Sequence, residues 1–247
     1  MMGVESVNMK RTALTYIVLL FAALLLILSG CAGAPAAQQM PAAAEPSASP
    51  TPAPTEESLP DVDITSWEFI VANMYTYVGR YNPTCGLFCS QLLDVRIIDQ
   101  AKAMMADAEA AGFKLYNNAS FRNFDYFEYH YNDKCSELGS AVEAVKVCFP
   151  GGCSDHNTAL AIDFTDDPQY NFNYDHEQDP DFQDTEAYQW LLDNCQNYGF
   201  VQRYIEGKEE YYGLACCPGH FRYVGVEAAT YMKEHNLCLE EFVALYQ

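Results

Sequence analysis

Positive charge is scarce in this 247-residue sequence: 13 Lys and Arg face 34 Asp and Glu, leaving a formal net charge of -21. A nucleic-acid partner is excluded on that ground, because a phosphate backbone would be repelled rather than neutralised. Long apolar runs are also few. The run Ala13 to Leu28 lies near the N-terminus behind Lys10 and Arg11, and it is short for a membrane span, which needs about 20 apolar residues. No zinc-ribbon spacing is present, since neither Cys85-x3-Cys89 nor the adjacent Cys216-Cys217 has a partner in a CxxC…CxxC arrangement. No internal repeat is evident.

What is there begins with a leader. The basic start and short hydrophobic middle have the form of a secretory signal, and the run ends in Leu28-Ser29-Gly30-Cys31, which resembles a bacterial lipobox. Residues 1–30 are therefore expected to be a lipoprotein signal peptide, with Cys31 lipidated as the first residue of the mature chain. Residues 31–60 are largely Ala, Pro, Ser, Thr and Glu; too little apolar surface is available there to offset ordering entropy, so a disordered tether is expected. Residues 61–247 suffice for one domain with its own core. The chain is therefore expected on the extracytoplasmic face of a cell membrane, anchored through Cys31. Nine of the ten cysteines remain once Cys31 is assigned to lipid, and in an exported chain they mostly pair as disulfides.

Periodicity outlines the domain. Ser66 followed by Trp67, Phe69, Ile70, Ala72 and Tyr75 predicts a capped amphipathic helix, and Ile97, Ile98, Ala101, Met104, Met105 and Ala108 predict a stronger one over 94–111, ended by Gly112. A strand is predicted over 113–119, a helical segment around 124–133, and a buried strand over 159–164. The acidic, proline-containing stretch 166–183 reads as a surface loop, 185–198 as a helix, 200–204 and 221–224 as strands, and 227 onwards as helical. Helices and strands alternate without a regular βαβ repeat, which predicts an α+β fold: a small, mainly antiparallel sheet with packed helices.

Three ligand-type residues stand out: His156 and Asp163 in SDHNTALAIDF, and His220 in PGHFRYVG. Two imidazoles and one carboxylate suit zinc and leave a fourth position open for water. His156 and Asp163 lie seven residues apart, so the chain must turn at Asn157-Thr158 to bring them together.

SDHNTALAID resembles the Ser-x-His-x-x-Gly-x-Ala-x-Asp motif of VanY-type D-alanyl-D-alanine carboxypeptidases, and PGHFRYVG resembles the end of their Glu-Pro-Trp-His-Phe-Arg-Tyr-Val-Gly motif. MMADAEAAGFKLYNNASFRNF and YGFVQRYIEGKEE are similar to further stretches of that family, so the likeness runs from about Asp94 to Glu241. It implies a zinc D,D-peptidase fold in which His156, Asp163 and His220 bind Zn2+. It also implies that Arg122 and Ser154 face the substrate, a peptidoglycan stem peptide ending in D-Ala-D-Ala, with the guanidinium on its carboxylate or developing oxyanion.

The departures are specific. Cys217 stands where the family has its glutamate base, Gly219 where it has tryptophan, Ala159 where it has glycine, and Ala119 and Phe127 where it has Ser and Gln beside the arginine. Three fates are open to Cys217: a thiolate filling the fourth zinc position, a disulfide partner of Cys153, or an unbridged thiol that mimics a carboxylate base poorly. The disulfide is the reading that an exported chain favours. Asp155, Glu209 and Glu210 are nearby carboxylates that read as solvated. Hydrolysis of D-Ala-D-Ala is one expected function; an inactive zinc-binding or cell-wall-peptide-binding lipoprotein of the same fold is the other.

Overall fold

The computed structural model describes residues 58–170, 179–213 and 217–247. The leader, Cys31, most of the tether, the middle of the acidic stretch and Cys216 lie outside the described residues.

Four strands form one antiparallel sheet in the order β3-β4-β6-β5: β3 (Tyr116–Ala119), β4 (Ala161–Thr165), β5 (Phe200–Gln202) and β6 (His220–Tyr223). A two-stranded hairpin, β1 (Cys85–Phe88) and β2 (Gln91–Asp94), stands apart from it. The longer helices are α1 (Ile98–Ala110), α2 (Phe124–Leu138), α4 (Glu186–Asn194) and α6 (Val226–Glu234); α3 (Ala141–Ala144), α5 (Glu209–Tyr212) and α7 (Leu239–Ala244) are short. This is the α+β architecture expected from the sequence.

Alternation along the strands gives the sheet two distinct faces. Ile162, Phe164, Phe200 and Phe221 turn into the main core, where they meet Ala101, Met104 and Ala108 of α1 and Ala187 and Leu191 of α4. Burying side chains of this size contributes about 1.5–3 kcal/mol each. Asp163 of β4 and His220 of β6, a register pair, alternate with those core residues and so belong to the opposite face. Beyond them Val201 and Val224 pack with Ala228, Ala229 and Met232 of α6 and Leu239 and Phe242 of α7. The pleat therefore separates a dry core from a face that carries ionisable groups.

Two local expectations are corrected. The helix expected after Ser66 is a single 3-10 turn, Trp67–Phe69. Asn73 bends the chain away: its side-chain oxygen accepts from the backbone N–H groups of Tyr75 and Thr76, both at 2.8 Å, offering the backbone an alternative to helix. The second expected helix begins at Ile98 rather than at about 94, where Asp94 closes β2 and a turn follows; the β1–β2 hairpin went unrecognised because its turn residues, Cys89 (φ 46°) and Ser90 (φ 68°), take left-handed conformations without the usual Asn-Gly signal. Gln91 ties that hairpin to β3, donating to the carbonyls of Asn117 (3.1 Å) and Asn118 (2.9 Å).

Candidate metal centre

His156 sits on a 3-10 turn, Asp155–Thr158, that leads into β4. Ser154 initiates the turn, its hydroxyl accepting from the His156 N–H at 3.3 Å. Ala159 ends it at φ 59°, a left-handed conformation that costs a residue with a Cβ about 1–2 kcal/mol. The turn reverses the chain so that His156 folds back towards Asp163. On the other side, Cys217-Pro218-Gly219-His220 is a tight turn closed by the His220 N–H on the Cys217 carbonyl at 3.1 Å. It delivers His220 opposite Asp163 across the β4–β6 ladder.

These two turns bring the three expected ligands together. One nitrogen from each imidazole and a carboxylate oxygen of Asp163 all lie within 4.8 Å of one another, and all three residues are buried. His156 Nε2 is 3.1 Å from Asp163 Oδ2, and His220 Nδ1 is 2.8 Å from Asp163 Oδ1. Burial pushes the His156 pKa down against the opposing pull of Asp163, which favours the neutral imidazole that a metal requires. For Asp163, burial works against ionisation, but His156 and His220 outweigh it and hold the carboxyl well below its usual range. Asp163 Oδ1 is buried without a well-formed hydrogen bond. A donor set of two imidazoles and an ionised carboxylate, with one carboxylate oxygen close to each ring, fits a zinc ion.

Arg122 reaches the same place from the loop between β3 and α2. Its backbone N–H donates to the His156 carbonyl at 3.1 Å, and its own carbonyl accepts from the Asn157 side chain at 2.8 Å. Its guanidinium lies 5.1 Å from the Tyr126 ring centroid. Burial lowers its pKa while the charge of Asp163 opposes that shift, so the guanidinium and the centre are within electrostatic reach of each other. Phe127 lies nearly parallel to His156, with centroids 6.2 Å apart, and Tyr204 packs on His220 at 4.8 Å.

Cys217 does not join the ligand atoms. Among the described residues the converging group contains His156, Asp163 and His220 alone, while Cys217 packs at the edge of a cluster formed by Phe149, Cys153, Tyr204, Tyr212 and Cys238. The expected Cys153–Cys217 disulfide is not part of this structure. The two motifs are joined instead by the β4–β6 ladder and by buried ion pairs.

Those ion pairs were missed in the sequence. Asp155 is not solvated; its side chain is fully buried, with Oδ2 2.5 Å from Arg203 Nε and Oδ1 hydrogen-bonded to Arg222 Nη1. Burial would raise its pKa, but Arg203 and Arg222 outweigh this and hold it below the ordinary value. The available signal was position: Asp155 adjoins His156, and Arg222 lies two residues after His220, on the same face of a strand. Glu209 and Glu210 are exposed and absent from the converging ligand group.

The family VanY, D-alanyl-D-alanine carboxypeptidase, matches residues 90–226, more than half of the chain. The chain belongs to that family. Among VanY-like relatives, a D-alanyl-D-alanine carboxypeptidase of Enterococcus faecalis (strain ATCC 700802 / V583) is 27% identical over 198 residues, 73% of this chain and 67% of that one. The carboxypeptidase-type protein YodJ of Bacillus subtilis (strain 168) is 31% identical over 144 residues, 58% of this chain. This chain spans 50% of the length of YodJ. VanYB in complex with D-alanine-D-alanine superposes with a TM-score of 0.62 at 26% identity, over 74% of this chain and all of that one. A vancomycin-resistance D,D-pentapeptidase VanY in complex with Zn(II) does so at 0.61 and 26%, over 72% and 99%. The α+β fold is thus that of the zinc D,D-peptidases.

Proposed function

We propose that this protein is a zinc D-alanyl-D-alanine carboxypeptidase that acts on peptidoglycan stem peptides at the cell envelope. The observation that carries the reading is the convergence of His156, Asp163 and His220 within 4.8 Å in a buried centre within electrostatic reach of Arg122. The solved complexes of VanY with Zn(II) and of VanYB with D-alanine-D-alanine support the choice of metal and substrate.

His156 Nε2, His220 Nδ1 and the Asp163 carboxylate would hold the ion. When bound, zinc polarises a carbonyl and lowers the pKa of water to about 7. Arg122 supplies the positive charge that orients the terminal carboxylate of the substrate, and partial burial strengthens that contact. Phe127 and Tyr204 wall the two imidazoles and limit their rotation. No carboxylate occupies the position three residues before His220, so proton removal lacks its usual acceptor and slow turnover is expected. The same observation supports a second reading, a zinc-dependent binder of cell-wall peptides without turnover.

Purified protein is expected to hold about one zinc per chain and to release D-alanine slowly from a stem pentapeptide, with release stopped by chelation and restored by zinc. Tight peptide binding without release favours the binder; a chain without zinc, whose peptide binding is unchanged by His156→Ala, removes both readings. Attachment to the membrane through Cys31 has a separate check. Labelled palmitate is expected to enter the wild-type chain in a bacterial host and not Cys31→Ser, and equal labelling of the two removes the lipid anchor.

A further inference from the structure

We propose that Asp155 is a positioning residue for the His156–Asp163–His220 centre: its carboxylate, shared between Arg203 and Arg222, clamps the turn that carries His156 onto the strand that carries His220. The inference rests on reading the triad as a metal centre and adds what holds that centre in shape.

Placement is the first ground. Asp155 immediately precedes His156, and Arg222 follows His220 by two residues on β6. Arg203, just past β5, donates its backbone N–H to the His220 carbonyl at 3.0 Å. Every charge on the Asp155 carboxylate is therefore one or two residues, or one backbone hydrogen bond, from a residue that bears a ligand imidazole. Asp155, Arg203 and Arg222 side chains are all fully buried, so no solvent competes for these contacts.

The second ground is what the imidazoles lack. A metal-binding histidine usually gives its outer N–H to a carboxylate or carbonyl that fixes the ring. Here the outer nitrogens, His156 Nδ1 and His220 Nε2, are buried without a hydrogen-bond partner in the structure. Ring position must then come from stacking on Phe127, from packing against Tyr204 and from the backbone that carries each ring. Asp155 acts on that backbone, since it joins the two segments at the level of the ligands.

The third ground is closure of the network. Arg203 forms a two-pronged contact with Glu240 of α7, Nη1 to Oε2 at 2.8 Å and Nη2 to Oε1 at 2.6 Å, and Asn73 adds a contact to Glu240 at 2.6 Å. Arg222 Nη2 donates to the Glu68 carbonyl at 2.9 Å. Two carboxylates meet two guanidinium groups, so the buried charges balance. Asp155 is the member that touches both arginines, whereas Glu240 touches Arg203 alone and lies at the far end from the centre.

That difference supplies the test. Zinc affinity is measured by competition with a chelator, and the visible absorption of the cobalt(II)-substituted chain reports ligand geometry. Asp155→Asn is expected to weaken zinc binding about 10- to 100-fold and to shift the cobalt bands, while Glu240→Gln, which disturbs the same network away from the ligands, keeps both. If Asp155→Asn does not fold, Arg222→Lys, which retains the charge but not the planar fork, carries the same expectation. Wild-type affinity and bands in the Asp155 variant, or in Arg222→Lys if it serves instead, overturn the inference, as does an equal loss in Glu240→Gln. A wild-type chain that binds no zinc overturns the metal-centre reading and this inference with it. A wild type that binds zinc beside a variant that binds it equally overturns the inference alone.

Discussion

Cys217→Glu is expected to raise D-alanine release from a stem pentapeptide by about 10²- to 10⁴-fold, the contribution of a well-placed general base. Position 217 opens the turn that ends at His220, and its backbone is fixed to that ligand by the hydrogen bond across the turn. The present thiol is a poor proton acceptor, because a thiol, with an ordinary pKa of about 8.5, is mostly protonated at neutral pH. Cys217 packs beside Cys153 and Tyr204 and takes no part in the converging ligand atoms. A glutamate reaches farther from the same Cα and carries an acceptor. The substitution is best made alone. A Cβ at Gly219 would lie 2.7 Å from the backbone carbonyl of Phe164, so the tryptophan found there in VanY-type enzymes would force β4 and β6 apart. The measurement is release per zinc-loaded chain for wild type and variant side by side. A variant that holds zinc and releases no faster shows that the base is not supplied from position 217.

Asp155→Ala is expected to cost about 3–5 kcal/mol of folding stability, because it leaves the buried Arg222 without a carboxylate and takes from Arg203 one of its two. For a domain of this size that lowers Tm by roughly 6–20 °C. The loss is larger than for an ordinary surface ion pair such as Arg80–Asp125, whose side chains are 64% and 69% exposed and whose contribution is about 0–1 kcal/mol. Thermal unfolding of the metal-free forms, followed by circular dichroism, checks the prediction, with Arg80→Ala as the comparison. An Asp155→Ala chain that melts with the wild type would mean that Arg222 finds another partner, and that the Asp155 link does not hold these segments together.

Much of this protein is legible without coordinates, and particular residues show why. Ile162 and Phe164 flanking Asp163, and Phe221 between His220 and Arg222, write the pleat of the sheet directly into the chain. The ligand candidates were visible because few residue types bind zinc and three of them stood in motifs that resemble those of VanY-type enzymes. The hairpin was not legible, since Cys89 and Ser90 adopt left-handed conformations that their side chains do not advertise. Asp155 was passed over in a chain with 34 acidic residues, where an aspartate is ordinarily solvated.

By itself, the sequence determined the α+β class and the alternation that sends one face of the sheet into the core, because these follow from local periodicity, and it pointed to the three converging residues through motifs that resemble those of VanY-type enzymes. Only the tertiary structure decided where Cys217 points, that no disulfide joins it to Cys153, and that Asp155 is a buried link between Arg203 and Arg222. Those outcomes depend on segments far apart in the chain. Burial makes the difference: the same carboxylate or thiol is solvated on a surface and structural inside, and no local pattern states which surroundings the fold will supply.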